Sequence, residues 1–305
     1  MKKIKIPALG VATGLGGPSK SCAQAAQILK QSKYAALLNG TDEKSDTSIE
    51  LQWEPVLEIS DKEKNSLNLF HKQSCVIKQF VRQQVEDNKA FLVLGGDHSI
   101  AAGTWSGVLD QLPADSKFAL IWIDAHMDAH TLETSPSGNL HGMPVSLILG
   151  EADHKLQKCF AGDVVLNGRD LYMFGVRSFE AAELVLLSKN NVNVFDTERI
   201  EREGGTRKVL SQLIATISEY YDYYAISLDL DAIDPQDAPG VETRADTGLS
   251  AENLLAGMQR VGINSDNMTE NKFLGLEIAE FDPGRDIGAK TEALVYRIVK
   301  TVFGA

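Results

Sequence analysis

The stretch FALIWIDAHMDAH, residues 118–130, decides the fold of this 305-residue chain. Its first half is a continuous apolar run, which is typical of a strand buried on both faces of a sheet. Its second half changes abruptly to aspartates and histidines that alternate with apolar residues. In open α/β sheets, ligands bind beyond the carboxyl ends of the strands. The stretch therefore predicts a sheet protein with a polar site at one edge of the sheet.

Six further apolar runs have the same strand-like character, at 3–9, 90–96, 170–176, 191–195, 224–230 and 273–281. Amphipathic, helix-like stretches lie between the runs, at about 19–31, 62–88, 99–112, 178–189, 206–221, 250–262 and 289–302. This alternation predicts an α/β fold with three αβα layers and a mainly parallel sheet. We find no repeat or linker-like segment, so we expect one domain over residues 1–305, with a mobile loop at 40–50.

Four of the predicted strands end in polar motifs that carry metal-binding side chains. The motifs are GGDHS (95–99), DAHMDAH (124–130), DLDAIDP (229–235) and EIAEFDP (277–283). Because residues i, i+2 and i+4 of an extended chain share a face, we expect Asp124, His126 and Asp128 to point the same way. Asp229 and Asp231 are expected to do so from another strand, and His98 completes the set.

These six residues supply four carboxylates and two imidazoles, which indicates a centre with two metal ions. Clustered carboxylates inside a protein repel one another, and divalent cations remove that cost. One ion cannot use all six ligands and still leave room for a substrate, whereas two ions about 3.5–4 Å apart can share bridging carboxylates. Oxygen ligands with two imidazoles and no thiolate favour two Mn²⁺, with Co²⁺, Fe²⁺ and Zn²⁺ as alternatives.

Composition and charge narrow the class of partner. The formal net charge of −12 argues against nucleic acid and against anionic membranes. Cys22, Cys75 and Cys159 are far apart and form no CxxC, so we expect buried free thiols without disulfides. The basic start lacks the apolar run of a signal peptide, and no run approaches the ~20 residues of a membrane-spanning helix. We therefore expect a cytoplasmic protein that acts on a small molecule.

Taken together, the motifs resemble those of the ureohydrolase family, the arginases and agmatinases. The matching segments are GGDHS (95–99), DAHMD (124–128), SGNLHG (137–142), SLDLDAIDP (227–235) and GLEIAEFDP (275–283). Among them, SGNLHG resembles arginases in particular. The resemblance implies a parallel sheet of roughly eight strands, a two-manganese centre and a homo-oligomer, either a trimer or a hexamer. It also implies hydrolysis of a guanidinium group to urea and an amine, as arginases do when they convert L-arginine to L-ornithine.

The resemblance assigns roles to individual residues. All six family metal ligands have matches here, at His98, Asp124, His126, Asp128, Asp229 and Asp231. The family's catalytic histidine matches His141 and its guanidinium-binding glutamate matches Glu280, while Asp128 is also expected to accept hydrogen bonds from the tetrahedral intermediate. Ser137 matches a serine that binds the substrate carboxylate, and Thr243 matches a threonine in the loop after the DP turn.

Three departures from the arginase pattern bear on the substrate. His130 stands where arginases have an asparagine that helps to bind the α-carboxylate, and Glu180 stands where they have an aspartate that reaches toward the α-amino group. The usual GTPxxGG loop reads ETRADTG over 242–248, so that Glu242 and Arg244 replace a glycine and a proline. We expect arginase activity, with agmatine, another guanidino acid or formiminoglutamate as alternative substrates. A non-catalytic homologue that binds a guanidino ligand is a further alternative.

Overall fold

One parallel sheet organises the chain. The computed structural model describes residues 2–39, 47–58, 66–158, 160, 162, 164–259, 261 and 272–304. The strands within these ranges are β1 Lys2–Ala12, β2 Thr47–Trp53, β3 Leu57–Glu58, β4 Phe91–Leu94, β5 Phe118–Ile123, β6 Leu171–Val176, β7 Asn193–Asp196, β8 Tyr223–Asp229 and β9 Phe273–Ala279. Their order is β2-β1-β4-β9-β8-β5-β6-β7, with β3 paired to the carboxyl end of β1, and each of these pairs is parallel.

Helices cover both faces of this sheet. In the described part of the chain they are α1 Ala25–Lys30, α2 Leu67–Glu86, α3 Ala101–Gln111, α4 Pro144–Ile148, α5 His154–Gln157, α6 Ala181–Lys189, α7 Thr197–Glu203, α8 Thr206–Tyr220, α9 Ala251–Met258 and α10 Lys290–Phe303. The predicted α/β fold with three layers and a parallel sheet is confirmed.

Each face of the sheet has its own hydrophobic core. Along β5, Ile121 and Ile123 pack into one core, and the alternate residues Leu120 and Trp122 pack into the other. The first core is completed by α1, α8, α9 and α10, and the second by α2, α3 and α4. Because successive side chains point to opposite faces, a strand covered on both sides must be apolar throughout, which explains the continuous apolar runs.

The seven predicted strands are all present, but β2 and β3 were not predicted. The sequence of β2, TSIELQW, alternates polar and apolar residues, as an edge strand packed on one face does. Residues 47–50 of the expected loop therefore begin a strand, and residues 40–46 lie outside the described part of the chain. The short helices α4, α5 and α7 were also missed, because four to seven residues hold too little periodicity to be recognised.

The cysteines only partly follow the expectation. Cys22 is a buried free thiol, whereas Cys75 is an exposed free thiol on α2, so the expectation of burial is wrong there. Cys75 Sγ lies 3.6 Å from His71 Nε2 on the same helix. Cys159 lies outside the described residues. Among the described helices, none combines the length and the apolar character that crossing a membrane would require.

The four strands that carry polar motifs are neighbours at the centre of the sheet. They follow the chain as β4, β5, β8 and β9, but they lie side by side as β4-β9-β8-β5. Since all four are parallel, their carboxyl ends meet at one edge. The fold therefore brings together motifs that are far apart in the sequence, such as GGDHS and EIAEFDP, whose residues His98 and Glu280 are 182 positions apart.

Candidate metal centre and substrate pocket

Two groups of metal-binding side chains lie at this edge. His98, Asp124, Asp128 and Asp229 form the first group, and Asp124, His126 and Asp231 form the second. Within each group, one ligand atom from each residue lies within 4.8 Å of the others. The structure thus brings all six predicted ligands together, and the two groups share Asp124.

The first group converges on one imidazole nitrogen. His98 Nδ1 lies 3.0 Å from Asp128 Oδ2, 3.2 Å from Asp229 Oδ2 and 3.3 Å from Asp124 Oδ2. A ring nitrogen carries at most one proton and cannot satisfy three carboxylates, and neither His98 Nδ1 nor Asp128 Oδ2 has a hydrogen-bond partner. Burial and the neighbouring Asp124 raise the pKa of Asp128 to about 7. A divalent cation among these oxygen and nitrogen donors would satisfy them together, so the donor set fits a metal ion.

The second group lies on the other side of Asp124. His126 Nδ1 is 3.0 Å from Asp231 Oδ2 and 3.6 Å from Asp124 Oδ1. Asp231 Oδ2 is buried without a hydrogen-bond partner. Asp124 thus presents Oδ2 to the first group and Oδ1 to the second, as a carboxylate shared by two metal ions does.

The ligands converge through turns and not through extended strands. β5 ends at Ile123, after which Asp124 Oδ1 accepts a hydrogen bond of 2.7 Å from the His126 N–H and Asp128 adopts a left-handed backbone with φ 48°. Asp229 likewise accepts a 2.8 Å hydrogen bond from the Asp231 N–H. The expectation that 124, 126 and 128 share one face of an extended chain is therefore wrong, because local side-chain hydrogen bonds bend the backbone there.

Neighbouring side chains orient the ligands. His98 Nε2 lies 3.1 Å from Ser227 Oγ, and that hydroxyl donates to Glu277 Oε1 at 2.8 Å. This chain places the ring proton on Nε2 and leaves Nδ1 as the ligand atom. Trp122 Nε1 donates to Asp124 Oδ2 at 2.8 Å and stacks on the His98 ring at 4.3 Å. Ser227 and Trp122 were not predicted, since a polar or aromatic residue in a buried strand has no motif of its own.

A pocket opens beside the two groups and holds every other predicted site residue. Its lining comprises His126, Asp128, His130, Ser135, Pro136, Ser137, Asn139, His141, Gly142, Glu180, Glu183, Asp229, Asp231, Thr243 and Glu280. The side chains of His98 and Asp124 are fully buried. The metal-binding groups therefore form the floor of the pocket. Its rim consists of Ser137, His130, Glu180 and Thr243.

His141 and Glu280 form a buried pair beside the floor. His141 Nδ1 is 3.0 Å from Glu280 Oε1, which also accepts a 2.8 Å hydrogen bond from the His98 N–H, while Glu280 Oε2 is buried without a partner. Burial raises the pKa of Glu280, but His141 outweighs it and holds that pKa below its usual value. Burial lowers the pKa of His141, but Glu280 outweighs it and raises that pKa to about 10. Glu280 has φ 67°, and such strained conformations in non-glycine residues cluster at functional sites.

The rim is organised around His130. His130 Nε2 lies 3.0 Å from Glu180 Oε2 and 3.5 Å from Glu183 Oε2, and His130 Nδ1 lies 3.1 Å from Thr134 Oγ1. Glu183 was not predicted, although the ExxE spacing with Glu180 at the start of α6 is a capping-box pattern. Both ring nitrogens of His130 therefore have protein partners.

The remaining rim positions are more open. Ser137 is exposed, and its hydroxyl accepts a 3.2 Å hydrogen bond from the Asn139 N–H. In the altered 242–248 loop only Thr243 lines the pocket. Glu242 is buried behind His141, and exposed Arg244 donates to the main-chain oxygen of Pro239. Neither of the two loop replacements therefore lines the substrate pocket.

Comparison with known proteins agrees with this geometry. The model of the Arginase family matches residues 10–304. Arginase from Bacillus caldovelox is 34% identical over 224 residues, 73% of this chain and 72% of that protein, and arginase from Bacillus subtilis is 33% identical over 80% of this chain and 79% of its own. The crystal structure of arginase from Bacillus cereus aligns with a TM-score of 0.83 at 28% identity over 99% of both chains. The chain therefore belongs to the arginase family, whose members are binuclear metal hydrolases, and it is a ureohydrolase.

Proposed function

We propose that this protein is an arginase that hydrolyses L-arginine to L-ornithine and urea with two Mn²⁺ held by His98, Asp124, His126, Asp128, Asp229 and Asp231. One observation carries the proposal. Two ligand groups share Asp124 directly beside a pocket that contains a buried glutamate–histidine pair. Oxygen-rich donors with two imidazoles and no thiolate favour Mn²⁺. When bound, two such ions supply the Lewis acidity that makes a hydrolytic nucleophile available at neutral pH.

Glu280 is suited to bind and orient the guanidinium group. Its Oε1 is held by His141 and by the His98 N–H, while Oε2 is buried without a partner at the pocket wall. A guanidinium N–H can satisfy Oε2 in a charge-assisted hydrogen bond, which fixes the planar cation above the floor. Asp128 lines the same pocket, and in addition to holding a metal ion its carboxylate can accept hydrogen bonds from the tetrahedral intermediate.

His141 is suited to give a proton to the leaving amine. Its Nδ1 is anchored on Glu280, and none of the described hydrogen bonds of the ring involves Nε2. Since Glu280 raises the pKa of His141 to about 10, the ring carries the proton that the departing amine needs. The proton passes from Nε2 to the nitrogen of the breaking carbon–nitrogen bond, and the ring regains it from solvent.

The rim supports a second candidate substrate, agmatine. His130 is engaged by Glu180, Glu183 and Thr134, so it has no free nitrogen for a substrate carboxylate. The carboxylates of Glu180 and Glu183 favour a cation at the distal end of the substrate, and agmatine ends there without a carboxylate. Arginine remains the first proposal because Ser137 and Asn139 also line the pocket and can donate hydrogen bonds to its carboxylate.

A substrate panel tests the proposal. The purified chain is stripped of metal and reloaded with Mn²⁺, Co²⁺, Fe²⁺ or Zn²⁺, and bound metal is counted before each assay. Product release is then measured from L-arginine, agmatine, other guanidino acids and formiminoglutamate. We expect two Mn²⁺ per chain and the largest kcat/KM for L-arginine. Faster release from agmatine would replace the first proposal with the second, and no turnover at full metal occupancy would indicate a binding protein. The oligomeric state, expected to be a trimer or hexamer, is measured by light scattering on the same samples.

A further inference from the structure

Glu242 is a buried carboxyl group that the proposed mechanism does not use. Its side chain has no exposed surface and does not line the pocket. Oε1 accepts a hydrogen bond from the Ser19 N–H, and Oε2 has no hydrogen-bond partner. That second oxygen lies 3.7 Å from His141 Nδ1, on the edge of the ring that Glu280 holds at 3.0 Å.

The surrounding backbone leaves room for this carboxyl group. A Cβ atom added to Gly17 would overlap Glu242 Oε2, so residue 17 must lack a side chain while Glu242 occupies its present place. Two hydrogen bonds also fix the main chain of Glu242. Its N–H donates to Glu280 O at 3.3 Å, and Arg285 Nη1 donates to Glu242 O at 2.8 Å. Glu242 is therefore held at a defined position behind the ring.

Two adjacent buried carboxyl groups do not both ionise readily. Ligand atoms of Glu242 and Glu280 lie within 4.8 Å of each other. Burial, followed by the charge of Glu280, raises the pKa of Glu242 to about 9, whereas the pKa of Glu280 lies below its usual value. Burial and the neighbouring charge of Glu280 therefore disfavour the ionised form of Glu242. An uncharged group behind the ring supports it without adding a second negative charge that would hold the His141 proton too tightly.

We propose that Glu242 is a positioning residue that supports the Nδ1 edge of His141. This inference rests on the role of His141 in the proposed function. Glu280 holds Nδ1 by a hydrogen bond, and the Glu242 carboxyl group fills the space 3.7 Å from the same edge, so that Nε2 keeps its direction toward the substrate. Glu242 touches neither the substrate nor a metal ligand, so it affects the proton-transfer step and leaves ground-state binding of the guanidinium group unchanged.

Three variants of the metal-loaded enzyme test this role. Glu242→Gln keeps the acceptor for the Ser19 N–H and nearly the same shape, so kcat should stay within about threefold of the wild-type value. Glu242→Ala removes the support, and we expect kcat to fall about tenfold while KM stays within about twofold. Asp282→Asn is the matched control, because Asp282 is buried and accepts hydrogen bonds from Ser19 and Ser21 of the same loop without touching His141. It should lower Tm and leave kcat within about threefold.

Several outcomes would overturn the proposal. In Glu242→Ala these are an unchanged kcat, or a rise in KM as large as the fall in kcat. In Glu242→Gln or in Asp282→Asn it is a fall in kcat as large as the one in Glu242→Ala. Crystal structures give a readout that does not need turnover. In Glu242→Ala the His141 ring should leave the 3.0 Å contact with Glu280 that it makes here, and in Glu242→Gln it should keep that contact. A ring that stays in place in the alanine variant would refute the positioning role even if the wild-type protein proved inactive on every guanidino substrate.

Discussion

The floor and the rim of the pocket are built in different ways. The floor consists of the six metal-binding residues, which sit where central strands end, and five of them have side chains that are at most 10% exposed. The rim consists of Ser137, His130, Glu180 and Thr243, which lie on loops and at a helix start, and the Glu180 side chain is 60% exposed. By its sequence motifs the floor matches the arginase ligand pattern at all six positions, while the rim departs from the arginase pattern at His130 and Glu180.

This difference indicates that the floor determines the class of reaction and that the rim determines the choice of substrate. The floor donors are fixed by buried hydrogen bonds, such as the one from Trp122 to Asp124 and the one between His98 and Ser227, so we expect substitution there to remove metal binding. The rim side chains contact solvent and can change without disturbing the sheet. Family membership therefore establishes the class of reaction through the floor, and the choice among guanidino substrates depends on the rim.

The largest effect is expected at Asp124, the ligand that the two metal-binding groups share. Asp124→Asn removes the negative charge that serves both ligand groups, so metal content should fall below two ions per chain and kcat/KM should fall about a thousandfold. Metal analysis and product release measure the two effects. Asp234→Asn is the control, because Asp234 belongs to the same DLDAIDP motif but caps the Gln236 N–H away from the pocket. Full metal content and activity in Asp124→Asn would refute the shared centre.

The next largest effect is expected at His141, which lies beside the floor. His141→Ala should lower kcat about a hundredfold while two metal ions stay bound, since His141 transfers a proton and binds no metal. In the wild-type enzyme kcat should fall as pH rises and the imidazolium loses its proton. Glu280 and other carboxylates raise the pKa of His141 to about 10, and bound cations oppose that rise, so the fall should occur at or below this pH. His154→Ala, at an exposed position outside the pocket, should leave the pH profile unchanged. An alkaline limb that persists unaltered in His141→Ala would assign that limb to another group.

A smaller effect is expected at the rim. His130→Asn frees Glu180 and Glu183 and supplies an amide that can donate a hydrogen bond to a substrate carboxylate. One hydrogen bond contributes about 1 kcal/mol, so KM for L-arginine should fall about fivefold with little change in kcat. KM for agmatine, which has no carboxylate, is the internal control and should not fall. A higher KM for L-arginine in the variant would show that the histidine itself binds the carboxylate.

The sequence predicted the floor better than the path of the chain through it. The apolar run 118–123 correctly indicated a buried strand, and the polar run after it supplies aspartates and histidines that the structure brings together. The bend that places His126 in the second ligand group, with Asp231 and apart from Asp128, depends on hydrogen bonds between side chains and nearby backbone, which spacing alone does not reveal. The edge strand β2 and the helices α4, α5 and α7 were missed for a related reason, because their local patterns are short and their formation depends on tertiary packing.

The rim was harder to predict because its geometry depends on partners that are distant in the sequence. His130 was identified as a departure from the family, but its pairing with Glu180 and Glu183 joins the loop after β5 to the start of α6. Glu242 and Arg244 were both expected near the pocket from the motif alone. The structure places Glu242 behind His141, and it directs Arg244 toward Pro239 and the Arg285 main chain.

The smallest effect is therefore expected at Arg244. Within the described part of the chain, its guanidinium donates to the main-chain oxygens of Pro239 and Arg285, outside the substrate pocket. Arg244→Ala should leave kcat/KM for L-arginine and for agmatine within about twofold, and the lost hydrogen bonds should lower stability by about 1 kcal/mol. Steady-state kinetics on both substrates and denaturant unfolding measure these quantities, with Arg297→Ala on α10 as a control for loss of a surface charge. If the ratio of the two kcat/KM values changed more than about fivefold, Arg244 would belong to the selectivity rim after all. If it does not change, His130 and Glu180 are the two departures left through which this chain can differ from arginases in its choice of substrate.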